Sequence, residues 1–385
     1  MNRLVLIGNG FDLAHGLKTS YADFINWYWE QWGYLLRGKA KRFEEDELCS
    51  FSLNEIGLGG WYLVWGHYYH KTNPFNWDLN EVAKLAREDR KLCEFKYKSP
   101  FFEQINKQID TRGWVDIENE YYAILTKRLH ERTVENIVLN ATKLNNHLAF
   151  LCKKLTEYLK KESEKETCVI EDIKRKIYCP ILENEVSVAS RDTTYREINV
   201  SSPIGKFSFK HKLKNWKPSQ IMLLNFNYTN TPQKYVDGFS NATINYIHGC
   251  LNDSRSVIFG YGDELDREFP RLKELNDNEC LRHVKSIKYL ESDKYRKMLE
   301  FIESEPFQVC IMGHSCGNSD RTLLNTIFEH PNCISIKPYY YINEKQEDNY
   351  LEIVQNIYRN FTNLKRMRDR VVNKTYTEPL IKPTD

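Results

Sequence analysis

The sequence predicts an α/β fold in which a parallel sheet, covered by helices, is interrupted by a large, mainly helical insertion. The run RLVLI at 3–7 is apolar on both faces, which is typical of a buried parallel strand. After residue 218, short apolar runs that end in polar or glycine-containing turns alternate with helical segments. Strands that alternate with helices indicate a parallel sheet.

The first part of the chain continues from this strand into helices. From Ser20, the segment SYADFINWYWEQWGYLL has aromatic residues at helical spacing, and Ser20 is a candidate N-cap. Residues 50–78 are rich in glycine, proline and tryptophan and predict no regular element. Residues 79–165 predict mostly helix, and residues 177–210 carry short strand-like pieces that favour a hairpin.

The second part predicts further strands and helices of the sheet. The predicted strands are QIMLLNFNYTN (220–230), TINYIHG (243–249), SVIFG (256–260), FQVCIMG (307–313) and CISIKPYYYI (333–342). The predicted helices are SDRTLLNTIFEH (319–330) and EDNYLEIVQNIYRNF (347–361). We therefore predict one α/β nucleotide-binding domain from residues 1–50 and 218–370, an insertion at 51–217, and a loose tail at 371–385. Two sequential domains are the competing interpretation.

Charge and cysteine usage exclude several classes of protein. The net charge of the 385 residues is +2, so no overall field favours nucleic acid or an anionic membrane. The N-terminal run LVLIG is too short for a signal peptide or a membrane span. The ten cysteines form no CxxC pair, which predicts reduced thiols in a cytoplasmic protein and no zinc ribbon. His67 and His70 lack a third ligand, so no metal is expected.

The segment Gly8-Asn9-Gly10-Phe11-Asp12 follows the first predicted strand. Glycines at the junction of a strand and a helix let bare backbone N–H groups approach a phosphate, because no Cβ blocks the approach. The other interpretation is a tight βα turn, in which Asp12 is a helix N-cap. GNGFD lacks the third glycine of GxGxxG, so the pattern alone decides neither.

Polar residues also follow the later predicted strands. Asn227, His248, Asp263 and Ser315 each lie just beyond an apolar run. Because the carboxyl ends of parallel strands share one edge, where ligands bind, we expect these side chains to converge. Asn227 could instead be an Asx-turn residue, and His248 could cap its strand by bonding backbone.

The segment GHSCG at 313–317 matches GxSxG, the nucleophile elbow of α/β-hydrolases, and lies between a predicted strand and a predicted helix. In this interpretation Ser315 attacks an ester and a later histidine is its base. The only later histidine is His330, which the helix would carry away from the elbow. The hydrolase interpretation also leaves Asn227 without a role.

Several segments together resemble the AbiH abortive-infection family, bacterial proteins linked to phage defence. These segments keep their order along the chain: LIGNGFDLAHGLKTSYADF (6–24), WVDIENEY (114–121), LLNFNYTNTPQKY (223–235), YIHG (246–249), VIFG (257–260) and MGHSCGNSD (312–320). AbiH proteins are more remotely similar to the Rossmann-like, sirtuin-like NAD-binding fold. The resemblance implies this fold for the predicted sheet.

The sirtuin-like comparison implies roles for individual residues. Asn227 and His248 resemble the residues that orient water and accept a proton when NAD is hydrolysed. The residues that would contact the nucleotide are Gly8, Asn9, Gly10, Phe11, Asp12, Tyr228, Gly313 and Ser315. In this comparison the backbone of 8–12 would cradle the pyrophosphate and Ser315 would bond a ribose hydroxyl.

The chain departs from the sirtuin-like pattern at three positions. Thr229 stands where an aspartate is usual, Asp12 replaces a small serine and Lys18 replaces a proline. The sirtuin zinc cysteines are missing, which favours relatives that hydrolyse NAD over those that deacylate proteins. The resemblance thus implies a phage-defence effector that splits NAD into nicotinamide and ADP-ribose without a metal.

Partners and ligand identity follow from the same resemblance. It implies a phage-derived trigger and a homo-oligomer, with the helical residues 80–165 as the part that senses or assembles. The sequence leaves NAD, NADP and ADP-ribose open as the ligand. A nucleotide-binding sensor or interaction module without turnover is the second hypothesis.

Overall fold

The computed structural model describes most of the chain, and these residues form two compact units. The described residues are 1–38, 43–53, 78–88, 90, 93–112, 115–128, 134–191, 215–253 and 256–382. The first unit comprises Met1–Leu17, Leu159–Pro270 and His283–Asp385, and the second comprises Lys18–Tyr158 and Arg271–Arg282. These bounds differ from the predicted division at 50 and 218. His67, His70 and the strand-like pieces at 192–210 lie outside the described residues.

Ten strands and thirteen α-helices are described. The strands are β1 Asn2–Ile7, β2 Phe43–Glu45, β3 Cys49–Leu53, β4 Cys93–Tyr97, β5 Ile181–Leu182, β6 Asn215–Trp216, β7 Ile221–Asn225, β8 Ala242–Tyr246, β9 Phe307–Met312 and β10 Cys333–Tyr339. The helices are α1 Asn9–Ala14, α2 Tyr21–Gly38, α3 Leu79–Glu88, α4 Pro100–Arg112, α5 Ile117–Arg128, α6 Val134–Ser163, α7 Glu171–Tyr178, α8 Phe269–Glu274, α9 Lys285–Lys288, α10 Lys294–Ser304, α11 Arg321–Phe328, α12 Tyr350–Asn360 and α13 Leu364–Arg370. Within the described residues, no helix is both long and apolar enough to cross a membrane.

The first unit contains a five-stranded parallel sheet with the strand order β10-β9-β1-β7-β8. β1 lies in the middle, since the chain adds β7 and β8 on one side of it and β9 and β10 on the other. The order therefore reverses between β1 and β9. The prediction of a parallel sheet built from the first strand and strands after residue 218 is confirmed.

Helices cover both faces of this sheet, as alternate residues of β1 show. Leu4 and Leu6 are fully buried in a cluster that includes apolar residues of α10, α11, α12 and α13. Val5 and Ile7 are fully buried in a second cluster, with residues of α1 and α7. Because side chains alternate along a strand, an apolar run such as RLVLI buries both faces at once.

Arg3 is a buried cation in the central strand β1. Its Nη2 donates to Gln308 Oε1 at 2.9 Å, and Gln308 Nε2 donates to Glu185 Oε2 at 2.9 Å. Lys337 Nζ lies 2.5 Å from Glu185 Oε1. Nη1 of Arg3 also donates to three carbonyls at the end of α7, those of Lys176, Ile177 and Cys179. The arginine thus joins the central strand to α7 and satisfies carbonyls that the end of this helix leaves unpaired.

Two sequence-based predictions are wrong in this unit. Residues 256–260 form no sheet strand, and the next residue, Tyr261, forms an isolated parallel bridge with Val284 instead. Residues 371–382 are not a loose tail: Leu380 is buried, and its N–H donates to Tyr340 O at 2.8 Å. Of the predicted hairpin at 177–210, residues 177–182 form the end of α7 and β5, whose partner is β6, and residues 192–210 lie outside the described residues.

The second unit combines helices with the antiparallel sheet β2-β3-β4. The predicted helix from Ser20 is confirmed as α2, and Ser20 Oγ accepts the N–H of Asp23 at 3.1 Å, as an N-cap does. Aromatic side chains fill the core of this unit, with Trp29 packed on Phe102 at a ring separation of 5.6 Å. The mostly helical prediction for 79–165 holds apart from β4.

Replacing Arg3 with methionine should destabilise the protein, because the carbonyls at the end of α7 and Gln308 would lose a buried donor. We expect the free energy of unfolding to fall by about 3–5 kcal/mol, the usual cost of removing one partner of a buried charged network. Urea denaturation followed by circular dichroism measures it. Arg368→Met is the matched control, since Arg368 is exposed, and should change stability by less than about 0.5 kcal/mol. Equal effects of the two substitutions would contradict this role of Arg3.

Candidate functional site

Two glycine turns meet at the carboxyl edge of the sheet, where β1 and β9 end. Gly10 N–H donates to Gly313 O at 2.8 Å. A Cβ on Gly8 would lie 2.4 Å from His314 Cα, and a Cβ on Gly313 would lie 2.1 Å from Phe11 N. Gly313 also has a positive φ of 76°, which L side chains rarely adopt. Close packing of two backbones therefore accounts for these glycines.

This packing uses N–H groups that were predicted to cradle a pyrophosphate. Gly8 N–H donates to Met312 O at 3.2 Å, and Phe11 N–H donates to Gly8 O at 2.9 Å. Together with the bond between Gly10 and Gly313, three N–H groups of the loop are engaged within the chain. A phosphate bound by any of these three N–H groups would have to displace its bond.

Asp12 is buried in α1 beside the end of β7. Its Oδ2 accepts a hydrogen bond from Thr229 Oγ1 at 2.6 Å, while its Oδ1 is buried with no partner among the described residues. Burial raises the pKa of Asp12 to about 6, against hydrogen bonds from Thr229 and Thr231 that lower it. The expectation that Asp12 is a helix N-cap is wrong, because α1 begins at Asn9 and Gly8 is at the N-cap position. The carboxylate of Asp12 instead faces Thr229, which follows β7.

Asn227 follows β7 and is tied to the turn after β1. Its Nδ2 donates to Gly8 O at 2.9 Å, and its own N–H donates to Asn225 Oδ1 at 3.1 Å. The Asx-type contact expected of Asn227 is therefore made by Asn225. The neighbouring Tyr228 donates its hydroxyl to Ile258 O at 3.0 Å.

His248 follows β8 and is buried, with 3% of its surface exposed. Its Nε2 lies 3.1 Å from Tyr289 Oη and 3.3 Å from Asp320 Oδ1. The ring therefore bonds side chains, and the alternative that it caps a strand through backbone is wrong. Phe226 packs between two imidazoles, with ring centroids 5.1 Å from His248 and 4.2 Å from His314.

Asp320 is the centre of a buried cluster. Its Oδ1 accepts a hydrogen bond from Lys285 Nζ at 2.8 Å, and its Oδ2 lies 3.5 Å from His314 Nε2. Burial would raise the pKa of Asp320, but Lys285 and His248 outweigh it and hold this pKa well below its usual value. Burial and the charge of Lys285 lower the pKa of His248, although Asp320 opposes this. The cluster thus holds a carboxylate with its ammonium partner and a neutral His248 at neutral pH.

The sequence pointed to only part of this cluster. In GHSCG the side chains after β9 alternate, so His314 points inward while Ser315 is exposed. Asp320 occupies the N-cap position of α11 but makes no cap with its side chain. An acidic residue at the start of a helix can be recognised in the sequence. Lys285, in HVKSIKYL, belongs to no sequence pattern that indicates a site.

Asp263 lies in the loop after the predicted 256–260 strand rather than at a strand end. Its Oδ2 lies 3.2 Å from Arg321 Nη1, and its Oδ1 accepts the N–H of Leu265 at 3.0 Å. Burial raises the pKa of Asp263, against Arg321, which lowers it. The structure therefore gives Asp263 a partner at the start of α11.

The geometry does not support the serine-hydrolase interpretation. The strained backbone of GHSCG lies at Cys316, with φ of 56°, and at Gly313, but not at Ser315. His330, the only later histidine, has its Nε2 3.2 Å from Glu303 Oε1 and packs on Phe307. Ser315 thus has no base in the order that the elbow requires.

Comparison with protein-family models matches residues 4–341 to the family described as Bacteriophage abortive infection AbiH. The chain belongs to the AbiH family. No curated protein and no solved structure matches the chain. Among the residues that the structure describes, no group of three histidine, cysteine or acidic side chains is arranged to hold a metal ion.

The AbiH match covers the chain from within β1 to the end of β10 and includes the whole buried cluster around Asp320. The resemblance to AbiH proteins noted in the sequence is confirmed. Membership links the chain to abortive infection of bacteriophage-infected cells.

Gly313→Ala should destabilise the protein more than Gly16→Ala. Both glycines have positive φ, 76° and 79°, but a Cβ on Gly16 would meet no atom of the described residues within 4 Å. The backbone conformation costs about 1–2 kcal/mol in both variants, whereas overpacking against Phe11 adds about 1–3 kcal/mol in Gly313→Ala alone. Urea denaturation of the two variants measures the difference. Equal losses would show that the contact between the turns can relax.

Asp12 should make the protein less stable as the pH rises from about 4 to 6. Its pKa is raised to about 6 in the folded protein, from 3.8, so the folded state binds the proton more tightly. The stabilisation is present below pH 3.8 and is lost as the pH passes 6, by on the order of 1–3 kcal/mol.

Asp12→Asn should remove this pH dependence. The free energy of unfolding of the variant and of wild type is measured at several pH values between 4 and 7, and the difference between the two proteins is followed across this range. Thr229→Val should extend the loss to higher pH, because the Thr229 hydrogen bond lowers the pKa. A constant difference across this range would refute the assignment.

Proposed function

We propose that the protein is a phage-defence effector that hydrolyses NAD to nicotinamide and ADP-ribose at the carboxyl edge of its parallel sheet. The observation that carries the proposal is the convergence of residues that follow four parallel strands. Asn227 contacts Gly8, Phe226 contacts His248 and His314, and the glycine turns contact each other. Numbered in chain order, the sheet reads 3-2-1-4-5, the order of doubly wound nucleotide-binding sheets, whose ligands bind where the order reverses.

The reaction requires a group that orients water and a group that accepts its proton. Nicotinamide leaves as a neutral base through an oxocarbenium-like state, and a water must be held against the ribose carbon. The Nδ2 of Asn227 is fixed on Gly8 O, which leaves its Oδ1 as an acceptor for a water hydrogen. His248 is neutral at neutral pH, because burial and Lys285 lower its pKa, so it is able to accept a proton.

In this proposal, exposed side chains among the other predicted residues contact the nucleotide. Asn9 and Ser315 are exposed at the edge where the order reverses, so their side chains can meet a ligand while the glycine N–H groups stay engaged. His248 is buried, so the described state is a resting state in this proposal. A phage-derived trigger or self-assembly would open the edge and admit NAD.

A second candidate is a nucleotide-binding sensor without turnover. The same two features favour it: the N–H groups of the glycine loop are engaged, and His248 is buried. In this candidate the exposed groups at the sheet edge bind a nucleotide, and no bond is broken.

Nicotinamide release from NAD by the purified protein tests the proposal. Asn227→Ala and His248→Ala should each lower the rate by about 10²–10⁴-fold. His330→Ala is the histidine control and should leave the rate unchanged, since His330 pairs with Glu303. Ser315→Ala should weaken the activity by no more than about 10-fold, as expected from the loss of one ribose hydrogen bond. Each protein is assayed at low and high concentration, in case activity needs assembly.

Release that survives both substitutions would refute the placement of the site. A lack of release at every concentration, combined with binding of NAD or ADP-ribose in calorimetry, would favour the sensor.

A further inference from the structure

Asp320 determines which ring nitrogen of His248 carries the hydrogen, because a carboxylate accepts hydrogen bonds and donates none. Its pKa is held well below the usual value, so it is a carboxylate and has no hydrogen to donate. Its Oδ1 lies 2.8 Å from Lys285 Nζ and 3.3 Å from His248 Nε2. A carboxylate oxygen next to an unprotonated imidazole nitrogen would be repulsive. The neutral ring of His248 therefore carries its hydrogen on Nε2.

The other nitrogen of this ring is the basic one. Among the residues that the structure describes, no group hydrogen-bonds to His248 Nδ1, since all contacts of the ring's polar atoms are made by Nε2. With the hydrogen on Nε2, Nδ1 carries a lone pair. Tyr289 Oη, 3.1 Å from Nε2, then shares the same N–H as an acceptor.

His314 has the same tautomer for an independent reason. Its Nδ1 accepts the backbone N–H of Cys316 at 2.9 Å, so its hydrogen also lies on Nε2. That Nε2 faces Asp320 Oδ2 at 3.5 Å. Both oxygens of Asp320 thus face donors, which fixes the orientation of the carboxylate toward His248.

We propose that Asp320 and Lys285 are positioning residues for the reaction of the site: Asp320 holds His248 in the tautomer that leaves Nδ1 as base, and Lys285 holds Asp320 in place. This inference rests on the proposed function. In the step, Nδ1 takes a proton from water as the water oxygen bonds to the ribose carbon. The bond from that carbon to nicotinamide breaks, and its electron pair leaves with the nicotinamide. Asp320 stabilises the imidazolium that forms, which later releases its proton to solvent.

The two residues act on His248 in opposite directions. The carboxylate of Asp320 favours the charged imidazolium, and the ammonium of Lys285 disfavours it. Within the described part of the chain, the other titratable groups that face the ring are Tyr289 and His314.

The test uses the full chain labelled with ¹⁵N-histidine, and His248→Gln identifies the His248 signals by their disappearance. In wild type, the nitrogen spectrum should show His248 with a protonated Nε2 and an unprotonated Nδ1. Asp320→Asn should lower the pKa of His248 and move the acid limb of the rate profile to lower pH, with a rate loss of on the order of 10²–10⁴-fold. Lys285→Met should raise that pKa and move the acid limb to higher pH. Lys288→Met is the control and should change neither, since Lys288 is a half-buried lysine one turn away that pairs with Glu291.

A wild-type His248 with its hydrogen on Nδ1 would overturn the proposal whether or not NAD is hydrolysed. Shifts of the same sign in Asp320→Asn and Lys285→Met would also overturn it. The expected tautomer and opposite shifts, found in a protein that releases no nicotinamide, would support the positioning roles and count against NAD hydrolysis by the untriggered protein. If Asp320→Asn does not fold, the tautomer of His248 in wild type and the shift of its pKa in Lys285→Met still test the proposal.

Discussion

The contact between two glycine turns at the centre of the sheet determines where the candidate side chains lie. β1 and β9 run side by side with Ile7 opposite Met312, so the chain leaves both strands at the same level. Only glycines allow the two exits to touch, because a Cβ on Gly8 would overlap His314 Cα. The approach sets His314 over Gly8, and from there its ring reaches Phe226. The contact between the glycine turns thus places the side chain that follows β9 against one that follows β7.

The buried cluster around Asp320 is not explained by stability alone. Taking a carboxylate and an ammonium out of water costs several kcal/mol per ion, and apolar replacements of buried ion pairs are often neutral or stabilising. The adjoining apolar core, with Leu224 and Ile311, shows that this edge of the sheet could be filled by hydrocarbon. A cluster of Lys285, His248 and Asp320 at the edge where parallel strands end is therefore better explained by chemistry than by packing.

The sheet was largely predictable because its strands are buried on both faces and appear as continuous apolar runs. The run SVIFG at 256–260 has the same composition and still forms no strand. Tyr261 instead exchanges backbone hydrogen bonds with His283 and Lys285, and Gly260 permits the close approach, since its Cβ would lie 2.0 Å from His283 O. Composition cannot distinguish a run that joins the sheet from one that pairs with a distant loop.

The site was predictable to a smaller extent, and the limit is again distance along the chain. The position of His248 and Asn227 at the sheet edge could be predicted because each follows a strand, where side chains of parallel strands converge. Lys285 follows no strand, and it reaches Asp320 only because its loop pairs with Tyr261. Asp320 was visible as the start of a helix, but the direction of its carboxylate depends on that lysine.

Two departures from the sirtuin-like pattern are the two ends of one hydrogen bond. The sequence has an aspartate at 12, where a small serine is usual, and a threonine at 229, where an aspartate is usual. In the structure the hydroxyl of Thr229 donates to the carboxylate of Asp12 at 2.6 Å. This bond joins α1, which follows β1, to the turn after β7. The residue types at 12 and 229 are therefore coupled by one contact, and a change at either position would deprive the other side chain of this partner.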